Sequence, residues 1–332
     1  MHITILFGGT NKERLVSVAS AQALHSALPE AELWFWDADD SVHEAKGSTL
    51  LGHARPFEEP FKADGRRIGS SIEQALDLAK ADDRLLVLGL HGGSAENGEL
   101  QVMCEARGIP FTGSGSASSH LAFDKVAAKR FAALAGVKSP AGIALEHAET
   151  SLAQYGRLIA KPARDGSSYG LVFVNSSQDL VAVRRAASVE EYVIEPFIAG
   201  TEATCGVLER LDGSVIALPP IEIIPAEGGA GFDYHAKYLA KATQEICPGR
   251  FSPETSAAIM DMALRAHLAL SCTGYSRTDF IVSDKGPVYL ETNTLPGLTK
   301  ASLYPKALNA QGIEFADFLK GQIAIAERRA RG

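Results

Sequence analysis

The sequence predicts an α/β protein built from more than one domain. Three observations carry this. The chain has 332 residues, more than one hydrophobic core usually serves. Its first third alternates buried strand patterns with helix patterns, as in a doubly wound sheet. Residues 277–302, RTDFIVSDKGPVYLETNTLPGLTKAS, read as a hairpin with its polar side chains on one face.

Composition narrows the class. The chain is 46% hydrophobic and 22% charged, ordinary for a soluble globular protein. No apolar run reaches membrane-spanning length, so no membrane partner is expected. The apolar start at 2–7 lacks a basic stretch before it and reads as a first strand rather than a signal peptide. Four cysteines, at 104, 205, 247 and 272, show no CxxC spacing. That argues against a zinc site or a disulfide framework and fits a reducing cytoplasm. A net charge of −8 without a basic block argues against nucleic acid as a partner.

In order, the strand at 2–7 runs into Gly8 and Gly9 and then a helix pattern. Glycines directly before a helix let a ligand approach its N-terminus. The GxGxxG fingerprint is absent. Glu13 is expected in the first helical turn, where it either serves the helix dipole or faces a ligand; local pattern leaves this open. A second strand follows at 32–36, and 37–70 gives no clear elements. A helix is expected over 71–80 and a buried parallel strand at 84–90. His91 and Glu96 lie in a glycine-rich loop just past that strand, where open α/β sheets place their ligands. The first domain is expected to close at residue 113.

Beyond it, helices are expected near Ser116 and across 124–131, with Lys125 and Lys129 on one face; two solvated lysines would be the plain reading. A strand ends at Lys161, beside the small-residue loop 165–170, which suits phosphate oxygens or a bare hairpin tip. The GxxxxGK[ST] pattern is missing. Strands are expected at 192–198, 203–208, 214–218 and 221–224. The irregular stretch 226–248 is long for a passive connector. Ser252 and Pro253 start a helix to about 270. A last helical region begins near Ser302.

In the hairpin, a three-residue loop over 284–286, with Gly286 left-handed, would set Ser283 opposite Pro287, Asp279 opposite Glu291 and Arg277 opposite Asn293. Side chains two apart share a face. Two carboxylates and an amide oxygen gathered there suit Mg2+, which also takes oxygens from substrate phosphates.

These blocks together resemble the D-alanine–D-alanine ligase family of the ATP-grasp superfamily. The similarity covers nearly the whole chain through FGGTNKERLVS, LHGGSAENGELQ, FTGSGSASS, FDKVAAKRF, AKPARDGSSYG, EPFIAGTE, FDYHAKYLAKATQEICP and the hairpin, in that order. The resemblance implies an ATP-grasp fold of three domains, at 1–113, 114–197 and 198–332, with ATP between the last two. It implies that one D-alanine is phosphorylated on its carboxylate by ATP and then attacked by the amine of a second, for peptidoglycan synthesis. It also implies a cytoplasmic homodimer.

By residue, the resemblance assigns Asp279, Glu291 and Asn293 to two Mg2+ ions, with Mn2+ as an alternative. It assigns Lys125, Lys161 and Lys237 to ATP phosphates, and Ser167 and Ser168 to the flap over them. Glu195, Phe197, Ile198 and Glu202 match adenine and ribose contacts. Glu13 and His91 match the site of the first ammonium group. Arg277 and the backbone of Gly297 match donors to the tetrahedral oxygen, and Ser302 the hydroxyl for the second carboxylate. Ser167 and Tyr238 would join Glu13 to close loop 226–248.

The chain departs from the common family pattern at Leu15, Asn97, Asp165, Pro196 and His235. Pro196 lacks an N–H and cannot donate to adenine. Loop histidines accompany depsipeptide-forming relatives, but those lack the Lys237–Tyr238 pair, so an amine acceptor is favoured. The alternatives are an ATP-grasp ligase for another amino-acid or hydroxy-acid pair, and a nucleotide-binding regulator without catalysis.

Overall fold

Strand β1 (His2–Gly8) pairs in parallel with β2 (Glu32–Trp36) and β5 (Arg84–Leu88), each nearly all buried. Two-sided burial explains why these strands read as continuous apolar runs. This is a computed structural model, and it describes residues 1–166, 170–225 and 243–331. Helix α1 (Arg14–Ala27) follows β1, and Glu13 is its N-cap rather than a residue of its first turn. The stretch without sequence signal holds β3 (Val42–Ala45), α2 (Gly47–Gly52) and β4 (Arg67–Gly69). These edge strands are antiparallel and give the order β4-β3-β2-β1-β5. They are short and polar, which is why the pattern was faint. Helix α3 (Ile72–Ala81), capped by Ser71, returns to β5, and α4 (Gly93–Glu96) and α5 (Glu99–Arg107) come after it.

Two helices, α6 (Ser116–Phe123) and α7 (Lys125–Leu134), lead to a smaller layer. There α8 (Ala148–Tyr155) and α9 (Asp179–Ala187) pack on the antiparallel sheet β7-β6-β8, formed by β6 (Leu158–Pro162), β7 (Val172–Val174) and β8 (Tyr192–Pro196). This layer has its own core around Leu158, Ala160, Leu180 and Ile194.

A six-stranded antiparallel sheet follows, from β9 (Thr201–Glu209), β10 (Val215–Ala217), β11 (Ile221–Ile224), β12 (Gln244–Ile246), β13 (Tyr275–Ser283) and β14 (Gly286–Asn293). Helix α10 (Pro253–Ala269), started by Ser252, covers one face. Helices α11 (Leu303–Ala310) and α12 (Phe315–Arg331) complete the chain. One hydrophobic cluster runs from Ile5, Phe7 and Leu24 of the first layer to Tyr275, Leu298, Tyr304 and Phe318 of the last. That shared core seats the loop after β14 against the loop after β5.

Candidate active site

The hairpin β13–β14 supplies the acidic face. Arg277 lies opposite Asn293 and Asp279 opposite Glu291, as expected. The route differs. Ser283 faces Gly286 and Val282 faces Pro287, so the loop has two residues, and a bulge at Leu290 recovers the expected pairing. Gly286 has a φ of 98°, a value that favours glycine. The bulge brings Leu290 and Glu291 into the same cleft wall.

Asp279 is held from three sides. Arg277 donates to both its oxygens at 2.9 and 2.8 Å, the Thr204 hydroxyl at 2.5 Å, and the Asn293 amide at 3.2 Å. Glu291 lies 3.3 Å from the Lys125 ammonium. Two carboxylates and an amide on adjoining strands form a hard-oxygen set that fits Mg2+. Among the described residues no three His, Cys, Asp or Glu side chains form a metal cluster.

A cleft of about 330 Å3 lies between the small sheet and the hairpin, within the range of ligand pockets. Its walls include Lys125, Lys161, Glu195, Phe197, Ile198, Glu202, Asp279 and Glu291. The family resemblance assigned all eight to nucleotide or metal. Lys125 sits at the start of α7, whose N-cap Asp124 accepts from the N–H groups of Val126 and Ala127 at 3.0 Å each. Its ammonium also donates to the Asp165 carbonyl at 2.5 Å. Both Lys125 and Lys161 are buried, not solvated. Burial pushes the Lys161 amine down to about 8. At the far end Phe173 and Phe197 meet edge to face, with the Arg157 guanidinium over both rings.

Past Arg277 the site continues into the loop after β5. His91 is buried, and burial holds its imidazole down at about 4. Its Nδ1 lies 3.0 Å from the Leu295 carbonyl, which can only accept, so Nδ1 carries the proton. Nε2 therefore accepts from the Ser20 hydroxyl at 2.8 Å, and that oxygen accepts from the Leu298 N–H at 3.4 Å. Ser20 and His91 thus clasp the loop carrying Gly297 at both ends. Glu96 accepts from Gly92 N–H at 3.1 Å. Burial first, and then the Glu13 carboxylate, push it up to about 7. Glu13 itself rests on Gly92 and Gly166, and any side chain at 92 would overlap its carboxylate. Ser302 caps the approach: the Thr299 N–H reaches its hydroxyl at 3.1 Å, and Gly297 lies against it.

Among the described residues, the assigned side chains therefore gather into two adjoining regions, with Arg277 between them. Ser167, Ser168, His235, Lys237 and Tyr238 lie outside the described residues. Sequence reasoning gave no role to Ser20, Thr204 or Lys129. Lys129 had a signal, since it stands one turn from Lys125. Ser20 had none beyond lying in an apolar helix.

The three layers, with a ligand-sized cleft between the small sheet and the hairpin, fit an ATP-grasp fold. Family models for the N-terminus and C-terminus of D-Ala–D-Ala ligase match residues 2–114 and 140–324. D-alanine–D-alanine ligase of Halalkalibacterium halodurans is 34% identical over 99% of this chain and 100% of its own. The enzyme of that name from Nitratidesulfovibrio vulgaris strain DP4 is 36% identical over 95% and 94%. Among solved structures, VanG D-Ala:D-Ser ligase from Enterococcus faecalis has a TM-score of 0.79 at 28% identity, covering 98% of this chain and 99% of its own. D-alanine–D-alanine ligase from Bacillus anthracis complexed with ATP has a TM-score of 0.73 at 28% identity, covering 100% and 98%. The chain belongs to the D-alanine–D-alanine ligase family.

Proposed function

We infer that this chain is an ATP-dependent ligase that joins two D-alanines into D-alanyl-D-alanine for peptidoglycan synthesis. One observation carries the reading. Asp279 and Glu291 share a cleft with Lys125 and Lys161, and Arg277 links that cleft to His91 and to Glu96, which lies beside Glu13.

A carboxylate is a poor electrophile, and phosphorylation gives it a leaving group. The lysines bind the phosphates, while Phe197, Ile198, Glu195 and Glu202 hold the nucleoside. Asp279, Glu291 and Asn293 would hold Mg2+, which when bound neutralises charge on the terminal phosphates. Glu13 holds the first ammonium group. The first carboxylate oxygen bonds to the γ-phosphorus as the bond to ADP breaks. The second amine then attacks the acyl carbon, phosphate leaves, and the amine's proton is lost. Arg277 and the Gly297 N–H face the oxygen that gains charge. Ser302 binds the second carboxylate. We assign Ser167, Ser168, Lys237 and Tyr238 to closing the site, which keeps water from the acyl phosphate.

We read residues 1–113, 114–197 and 198–332 as the three domains, and the protein as a cytoplasmic homodimer. The similarity to a D-Ala:D-Ser ligase makes D-serine the acceptor to test beside D-alanine. Incubation with ATP, Mg2+ and D-alanine should release phosphate and dipeptide in equal amounts. D-serine or D-lactate outperforming D-alanine as acceptor near neutral pH would remove the reading.

A further inference from the structure

Glu195 in the wall of the nucleotide cleft is paired with Lys129, a residue to which the reaction assigns no part. Lys129 of α7 and Glu195 of β8 are 8% and 1% exposed. The Lys129 ammonium is in direct contact with one Glu195 oxygen, and Lys161 stands 3.5 Å from the other. Glu195 and Lys161 line the cleft, whereas Lys129 stands behind its wall. We propose that Lys129 is a positioning residue for base selection. It holds Glu195 ionised and aimed at the purine, so the carboxylate only accepts hydrogen bonds and selects a 6-amino over a 6-oxo purine.

The chemistry follows from the donor inventory. An ionised carboxylate has no proton to give, whereas a protonated one donates as well as accepts. Adenine offers an amino group at position 6; hypoxanthine offers a carbonyl there, which an ionised carboxylate repels. A carboxylate buried this deeply would take up a proton without a paired cation. Burial also pushes the Lys129 amine down. Direct contact with the Glu195 carboxylate works against that shift, and with Lys161 3.5 Å from the second oxygen the geometry favours the ionised pair. Removing Lys129 leaves the buried carboxylate with Lys161 as its one remaining cation among the described residues. Glu195 would then take up a proton or swing wholly to Lys161.

This inference rests on Glu195 being the adenine contact, so the experiment tests the two separately. ADP and IDP, which differ at that purine position, are titrated calorimetrically into the full chain with Mg2+. Lys129→Met should weaken ADP about tenfold and tighten IDP, whose carbonyl the carboxylate no longer repels, narrowing the preference. Lys129→Gln keeps a donor against the carboxylate, serves as the second variant should the methionine not fold, and should narrow it likewise. Lys129→Arg keeps the charge and should retain the preference. An unchanged ADP-over-IDP ratio in the neutral variants overturns the role of Lys129. If Glu195→Gln narrows the ratio while they do not, the adenine contact stands and only the Lys129 inference falls. If Glu195→Gln leaves the ratio unchanged, both fall.

Discussion

At the scale of single residues, Ser20 decides how firmly the loop bearing Gly297 is held. Its hydroxyl donates to His91 and accepts from the Leu298 N–H, all in a buried setting. Ser20→Ala strands both partners, at a cost of about 1–3 kcal/mol. Because the loop faces the reacting carbon in our reading, kcat should fall about tenfold while KM for ATP stays put. Steady-state kinetics on each substrate check this, and an unaltered kcat would show that the Leu295 contact alone suffices. Asp279, Glu291 and Asn293 were legible because strand side chains alternate with a fixed period. Ser20 and Lys129 were not, since what they touch comes from segments far along the chain.

At the scale of elements, the hairpin shows how a wrong local detail can leave a site intact. The expected three-residue loop and the observed two-residue loop differ by one residue, and the bulge at Leu290 absorbs it. Bulges depend on packing against neighbouring strands, so no local pattern announces them. Helix α7 makes the opposite case, because its start is written locally in Asp124. That carboxylate caps two N–H groups and pairs with Arg164 at 2.6 Å. Asp124→Ala should cost about 1–2 kcal/mol of stability. It should also raise KM for ATP severalfold, because Lys125 opens that helix and Lys129 follows one turn on. Asparagine caps as well as aspartate, so Asp124→Asn should restore most of the ATP affinity. Thermal melts and kinetics on the pair separate a capping role from a direct nucleotide contact, for which the asparagine would not rescue.

At the scale of the whole molecule, the first and last layers share one core, and the small middle layer keeps its own. The alternation of strands and helices made the first layer readable, but no sequence window shows that α12 packs against it. Long-range packing also sets the acid sensitivity of the fold. His267 of α10 is buried, with Nδ1 2.7 Å from the Ser276 hydroxyl, and burial holds its imidazole down at about 4, against an ordinary 6.5. Between those values the unfolded chain binds a proton that the folded chain refuses. Stability from this group is therefore complete above pH 6.5 and lost as pH falls towards 4. His91 shifts with the same sign, whereas Glu96, raised to about 7, works the other way. Comparing the parent with His267→Gln cancels both. The stability gap between them, from urea unfolding, should shrink by about 2 kcal/mol from pH 7 to pH 5. A gap that does not change with pH would mean His267 is protonated in the folded protein, with its charge met by a partner inside the core.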